Sequence, residues 1–185
     1  MAKAIILIGP SGVGKDSIAI ALRERYPEII PSVSCTTRPP RKGEVDGVAY
    51  HFLSDAQFDS YIQQNAFLEW DAFHNARYGT LAAPVKDAIH GGKSVIFVVN
   101  ARGAHALRRG LAAHGLPCSA IFLMPPDVET LLLRMRNRGD SEDNIRKRFA
   151  AVAEELSHKD EFDCVVVNDD FGSTLSQVEK IVGCV

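Results

Sequence analysis

Gly9-Pro10-Ser11-Gly12-Val13-Gly14-Lys15 restricts the fold of this chain more than any other segment. It follows the apolar run Ala4 to Ile8 and opens a helical pattern from Lys15 to Arg25. Strand, glycine-rich turn and helix in that order make a Walker A loop. Its backbone N–H groups converge on phosphate oxygens, and the helix N-terminus adds partial positive charge. Lys15 supplies a point charge for β- and γ-phosphates. Gly9, Pro10, Ser11, Gly12, Val13, Gly14, Lys15, Asp16 and Ser17 are the candidate ATP-binding residues on this side. The motif departs from type at one position. Where Ser or Thr ordinarily ligates Mg²⁺, the chain has Asp16, followed by Ser17. Asp16 is the candidate metal ligand, and Mg²⁺ the expected cofactor. A glycine-rich turn that only caps a helix would not need the lysine as well.

Three further apolar runs, Val95 to Val99, Ala120 to Met124 and Cys164 to Val167, predict strands buried on both faces of a parallel sheet. Between them lie helical patterns over Ala101 to His114 and Val128 to Arg138. Gly115 and Gly139 are the expected stops, and Asp127 the expected cap of the second helix. The alternation predicts an α/β fold: a P-loop NTPase core with a parallel sheet flanked by helices and right-handed crossovers. Pro31 to Thr80 reads differently, with prolines, glycines, aromatics and alternating polar residues. Ser54 with Gln57 predicts a capping box for a helix through Gln64. This stretch is expected to be a small mixed α+β insert. An arginine-rich second insert runs from about Pro126 to Phe149.

The chain has 185 residues, which predicts a single domain with inserts. A formal net charge of −2 argues against nucleic-acid binding through bulk positive charge. No apolar run approaches the ~20 residues of a membrane span, and no leader is read. Cys35, Cys118, Cys164 and Cys184 form no CxxC pair, so free thiols in a reducing, cytoplasmic setting are expected.

Ser34-Cys35-Thr36-Thr37-Arg38-Pro39-Pro40-Arg41 is followed by Gly43-Glu44, Asp46-Gly47 and Tyr50-His51-Phe52. Glu69-Trp70 and Tyr78-Gly79-Thr80 come later. Two arginines with a tyrosine suit a phosphate monoester, since guanidinium forks bind phosphate bidentately. The same charges could equally line a solvated loop. These motifs, in this order, resemble those of guanylate kinases over nearly the whole chain. The resemblance implies ATP:GMP phosphotransfer by a core (1–33, 81–125 and 150–185), an acceptor-binding subdomain (34–80) and a helical lid (126–149). It implies that Arg38, Arg41, Tyr50 and Tyr78 hold the GMP phosphate and that Ser34, Glu69 and Thr80 read guanine. The guanine N1–H and N2–H₂ are donors that a carboxylate accepts, and adenine offers no such pair. In the lid, Leu131-x-x-Arg134-Met135-x-x-Arg138-Gly139 and Ile145-x-x-Arg148 match the family pattern. Lys15, Arg41, Arg134, Arg138 and Arg148 are the candidate catalytic residues, with the lid arginines mobile until they converge on phosphate. Asn168, in Asn168-Asp169-Asp170, corresponds to the family's adenine contact.

Three features depart from that pattern: Asp16, a lid sequence one residue short at Gly139-Asp140-Ser141, and Val98-Val99-Asn100. Guanylate kinases usually carry Asp-hydrophobic-Asp at the last of these, where Asn100 is the candidate GMP contact. Gly-Lys-Asp-Ser, with an apolar strand ending in Val-Asn, also resembles ribose 1,5-bisphosphate phosphokinases, which form 5-phosphoribosyl 1-diphosphate. That acceptor is the alternative. A non-catalytic guanylate-kinase-like protein-binding module is a third reading, which an intact phosphate loop does not favour. The implied partners are small molecules, ATP and GMP, with no nucleic acid or membrane, for a monomer or homodimer.

Overall fold

The computed structural model describes residues 1–73, 75–137, 139 and 141–184, apart from the side chains of Phe73 and Lys147. Strand β1 (Ala4–Ile8) lies at the centre of a five-stranded parallel sheet, with strand order β2-β7-β1-β8-β9. The others are β2 (Ile29–Pro31), β7 (Ser94–Val98), β8 (Cys118–Met124) and β9 (Cys164–Val167). β1 is buried along its whole length because its alternate residues feed two cores. Ile6 and Ile8 pack toward α3 (Ala82–His90) and α4 (Ala101–Ala113). Ile5 and Leu7 pack toward α1 (Lys15–Arg25) and α8 (Phe171–Val182). That is the double burial a continuous apolar strand demands.

The prediction of burial on both faces fails for Cys164 to Val167. β9 is the edge strand, so α8 covers Val166 while Val165 and Val167 are exposed. Among the described residues, no helix is long and apolar enough to cross a membrane.

A second, four-stranded sheet lies between β2 and α3 in the chain, with order β4-β3-β6-β5. It comprises β3 (Cys35–Thr36), β4 (His51–Phe52), β5 (Phe67–Phe73) and β6 (Ala76–Leu81). Helix α2 (Asp55–Gln63) begins at the expected capping box. Ser54 accepts from the Gln57 backbone N–H, and the Gln57 side chain accepts from the Ser54 backbone N–H. α2 presents Asp55 and Asp59 to Arg77 of β6 and packs Phe58 onto Phe67 of β5. Ser54→Ala is expected to cost about 1 kcal/mol of stability, measured as a lower urea midpoint at unchanged slope.

The second sheet is fixed to the core where β5 crosses α4. A Cβ on Gly110 would fall 2.0 Å from the Leu68 carbonyl oxygen, so only glycine permits this approach.

Beyond β8, α5 (Val128–Asn137) starts where Asp127 accepts from the Thr130 backbone N–H at 2.6 Å. That hydrogen bond, the first of several, holds the Asp127 carboxyl below its ordinary pKa. α6 (Glu142–Ala150) and α7 (Val152–Ser157) follow, then a 3₁₀ turn (Lys159–Glu161) that leads into β9. Expected lid residue Arg138 lies outside the described residues.

Candidate active site

The phosphate loop needs unusual backbone angles. Gly9, Gly12 and Gly14 have φ of +138°, +85° and +102°, a region that L side chains rarely adopt. Each is also approached closely. A Cβ on Gly9 would sit 2.2 Å from the Leu123 carbonyl oxygen, and one on Gly14 2.5 Å from the Asn168 amide nitrogen. A Cβ on Gly12 would lie 3.2 Å from the Met135 side chain of α5. The loop is therefore clasped by β8, the turn after β9 and α5 together. Lys15 Nζ folds back over it and donates to the Pro10 carbonyl at 3.1 Å. Glu155 of α7 approaches the same lysine. Burial raises the Glu155 pKa, and the Lys15 charge opposes that rise.

Two of the expected lid arginines reach this loop. Arg134 of α5 donates to the carbonyls of Asn168 at 2.9 Å and Val13 at 3.5 Å. Arg148 of α6 donates to Ser11 Oγ at 2.8 Å. Both line a pocket of about 510 Å³ with Gly12, Gly14, Lys15 and Ser17. They are thus engaged with the loop through protein oxygens, a docking that the expectation of a mobile lid does not include.

Asn168 is buried, and its amide donates to the Val13 carbonyl at 2.6 Å. One face of its side chain therefore braces the phosphate loop, beyond the adenine contact expected of it. Phe171, half-exposed at the start of α8, lines the same pocket with Asp169. Sequence reasoning missed Phe171, although its place just after Asn168-Asp169-Asp170 was the available signal.

Asp16 is exposed on the first turn of α1 and lines two pockets at once. The second, about 390 Å³, contains Ser34, Glu69 and Thr80, the three expected guanine readers, with Arg23, Ser32 and Val98. Glu69 is held by Thr80, whose hydroxyl donates to its Oε1 at 2.8 Å. Burial raises the Glu69 pKa against that hydrogen bond. Ser32, which sequence reasoning did not single out, has a buried Oγ without a hydrogen-bond partner among the described residues.

Asn100 caps α4, its Oδ1 accepting from the Gly103 backbone N–H at 2.8 Å. A helix start leaves N–H groups unpaired, and an Asn at that place satisfies one. Asn100 nevertheless borders a cleft with Glu69 and Tyr78.

Of the four expected phosphate ligands, Arg38, Tyr50 and Tyr78 lie together, whereas the Arg41 side chain is exposed and makes no contact with them. Tyr50 and Tyr78 meet edge to face at 6.0 Å, and the Arg38 guanidinium lies 5.5 Å from the Tyr50 ring. Arg38 is paired with both Glu44 carboxylate oxygens, at 2.8 and 3.0 Å, and the pairing lowers the Glu44 pKa. Glu44 also accepts from the Arg41 backbone N–H at 2.7 Å, and Arg41 is exposed. Glu44 therefore orients the Arg38 fork and the Arg41 turn, a link that sequence spacing alone does not reveal. Cys35, buried between these strands, has its thiol pKa pushed up to about 11, mainly by burial.

Comparison with known proteins agrees with this geometry. The sequence profile described as Guanylate kinase matches residues 1–183. A guanylate kinase of Synechococcus sp. (strain CC9311) is 42% identical over 181 residues, covering 97% of this chain and 93% of the relative. One from Nocardia farcinica is 41% identical over 182 residues, covering 97% and 92%. The crystal structure of guanylate kinase from Anaplasma phagocytophilum superposes with a TM-score of 0.71 at 28% identity, covering 99% of this chain and 85% of that one. The tunicamycin resistance protein of Deinococcus radiodurans, at 18% identity and a TM-score of 0.58, shares the fold. With a glycine-clasped phosphate loop, a carboxylate–hydroxyl pair in the adjoining cleft and a full-length profile match, this chain belongs to the guanylate kinase family.

Proposed function

We propose that this chain transfers the γ-phosphate of ATP to GMP or dGMP, giving ADP and GDP or dGDP. The observation that carries this reading is the Glu69–Thr80 pair, which faces a cleft that shares Asp16 with the phosphate-loop pocket. A half-buried carboxylate suits the two N–H donors of guanine. It would repel the phosphates of ribose 1,5-bisphosphate.

The donor side would use the loop amides, Lys15 and the lid arginines on the phosphates, with Asn168 and Phe171 near the base. Asp16 and Ser17 offer oxygen donors beside the loop, a donor set that suits Mg²⁺. When bound, Mg²⁺ would neutralise charge on the β- and γ-phosphates. On the acceptor side, Arg38, Arg41, Tyr50 and Tyr78 would hold the α-phosphate of GMP, while Ser34, Glu69 and Thr80 read the base. GMP brings an ionised phosphate oxygen as nucleophile, so the chain needs position and charge rather than a general base. Arg134 and Arg148 would move from protein oxygens onto phosphate oxygens, exchanging neutral acceptors for charged ones with stronger hydrogen bonds. Segments 34–80 and 126–149 would then close on the core 1–33, 81–125 and 150–185 and exclude water. Such an enzyme would work in the cytoplasm, as a monomer or homodimer.

The test is a coupled assay of ADP release with GMP, AMP, UMP and ribose 1,5-bisphosphate as acceptors. GMP is expected to give the highest kcat/KM, by at least tenfold. A higher value with ribose 1,5-bisphosphate would overturn the reading.

A further inference from the structure

Away from both pockets, His105 of α4, His158 just after α7 and Glu161 of the 3₁₀ turn converge. One ligand atom from each lies within 4.8 Å of the other two. His105 Nε2 is 2.6 Å from Glu161 Oε2, and His158 Nδ1 is 2.9 Å from Glu161 Oε1. From this juxtaposition we infer that His105, His158 and Glu161 form a binding site for a borderline divalent cation of the zinc class.

Two imidazoles and one carboxylate are a donor set that suits Zn²⁺ and its neighbours and is poorly suited to Mg²⁺. Metal–ligand bonds of about 2.0–2.2 Å place tetrahedral ligand atoms roughly 3.3–3.6 Å apart. Because the imidazoles face different oxygens of Glu161, a site built on one of those oxygens needs its short contact to open slightly and the other separations, all within 4.8 Å, to close by up to roughly an ångström. All three side chains are partly exposed, so a cation can enter from solvent. Each imidazole nitrogen facing Glu161 carries a proton when it donates to that carboxylate. A neutral ring can shift that proton to its other nitrogen and turn a lone pair toward the cation.

The surroundings hold the donors in place. The His105 ring stacks on Phe162 at 5.0 Å, and Phe162 stacks in turn on buried Phe122 at 5.9 Å. The two imidazoles meet edge to face at 6.1 Å. Arg108 donates to the Glu161 carbonyl at 2.9 Å and pairs with Asp163 at 2.9 Å, which pins the turn carrying Glu161. Such outer support is what keeps metal ligands aligned. Three protein ligands leave a fourth tetrahedral position for water or another small ligand. A bound cation would tie α4 of the core to the segment that follows α6, and α6 carries Arg148.

The test uses the full chain, stripped with chelator and kept reduced with a non-thiol reductant. Co²⁺ and then Zn²⁺ are titrated in the presence of excess Mg²⁺, followed by visible absorption and calorimetry. Expected is one equivalent of Co²⁺ with a tetrahedral d–d band, displaced by Zn²⁺, and a rise in thermal midpoint with metal. His105→Gln and His158→Gln should each weaken Zn²⁺ binding at least tenfold. Each variant's metal-free thermal midpoint identifies a fold defect, and Glu161→Gln, which keeps a hydrogen-bonding side chain, provides a third arm. The inference is overturned if no stoichiometric binding occurs. It is equally overturned if tight binding survives both histidine substitutions, or if a sulfur-to-cobalt charge-transfer band assigns the metal to the cysteines. None of these outcomes depends on which acceptor the enzyme phosphorylates.

Discussion

Glu69→Gln is expected to lower kcat/KM for GMP by roughly tenfold to a hundredfold, the equivalent of losing a charged hydrogen bond of ~1.5–3 kcal/mol, while KM for ATP stays near wild type. The carboxylate offers two acceptor oxygens, and Thr80 already uses part of one. An amide keeps a single oxygen and can turn its N–H donors toward the guanine N1–H and N2–H₂, which are donors themselves. Stability separates this loss from misfolding. Burial raises the Glu69 pKa in the folded protein, so the ionised carboxylate costs stability above that raised value and nothing below its unfolded value. The amide removes this cost and can still accept from Thr80. Glu69→Gln should therefore be at least as stable as wild type at neutral pH, with its relative advantage shrinking as the solution is acidified. The same sign governs binding. Guanine needs the ionised form, so GMP use should fall with acid earlier than an ordinary carboxylate would dictate. Unchanged kcat/KM for GMP in Glu69→Gln would remove Glu69 from the base-reading role.

The parts of this molecule that were legible in the sequence are those where local pattern and tertiary burial agree. Ala4–Ile8 is apolar throughout because both faces of the central strand are covered, and Ser54 with Gln57 is a capping box because those two side chains need only each other. Elements without a local signal were not read. α3 starts after Leu81 with no side-chain cap, and β3 and β4 are two residues each, too short for any period to show. α8 has local signals, Asp170 accepting from the Ser173 backbone N–H and Gly183 at φ +77°, but they are separated by 12 residues over which no helix is predicted. β9 looked buried because strand composition does not reveal which strand is the edge.

The site divides in the same way. Motif residues such as Lys15, Glu69 and Thr80 could be named from spacing. The linkages that hold them could not, because those connect residues distant in the chain or of ordinary type. Asn168 on Val13 spans 155 positions, and Glu44 serves Arg38 from a surface loop. His105, His158 and Glu161 likewise share no local motif.

Asp16→Ser is expected to change how steeply nucleotide affinity depends on Mg²⁺, on the order of tenfold. Asp16 stands on the first turn of α1, exposed, at the wall shared by the phosphate-loop pocket and the acceptor cleft. A carboxylate there opposes the approach of β- and γ-phosphates. A divalent cation between carboxylate and phosphate reverses that sign. The strand end that often supplies a second carboxylate in this family carries Asn100 here, whose oxygen is used on the backbone of α4. On this account, negative charge near a bound Mg²⁺ would lie on the loop rather than at the strand end. Replacing Asp16 with Ser should strengthen ATP binding in EDTA, where repulsion alone acts. It should weaken binding in Mg²⁺, where the attractive partner is lost. Calorimetric titration of ATP into wild type and Asp16→Ser, each with Mg²⁺ and with EDTA, measures both limbs of this cycle and needs no turnover. If Asp16 instead turns outward and Ser17 or water serves the metal, the ratio of the two affinities will be the same in both proteins, and the relocated-charge account fails.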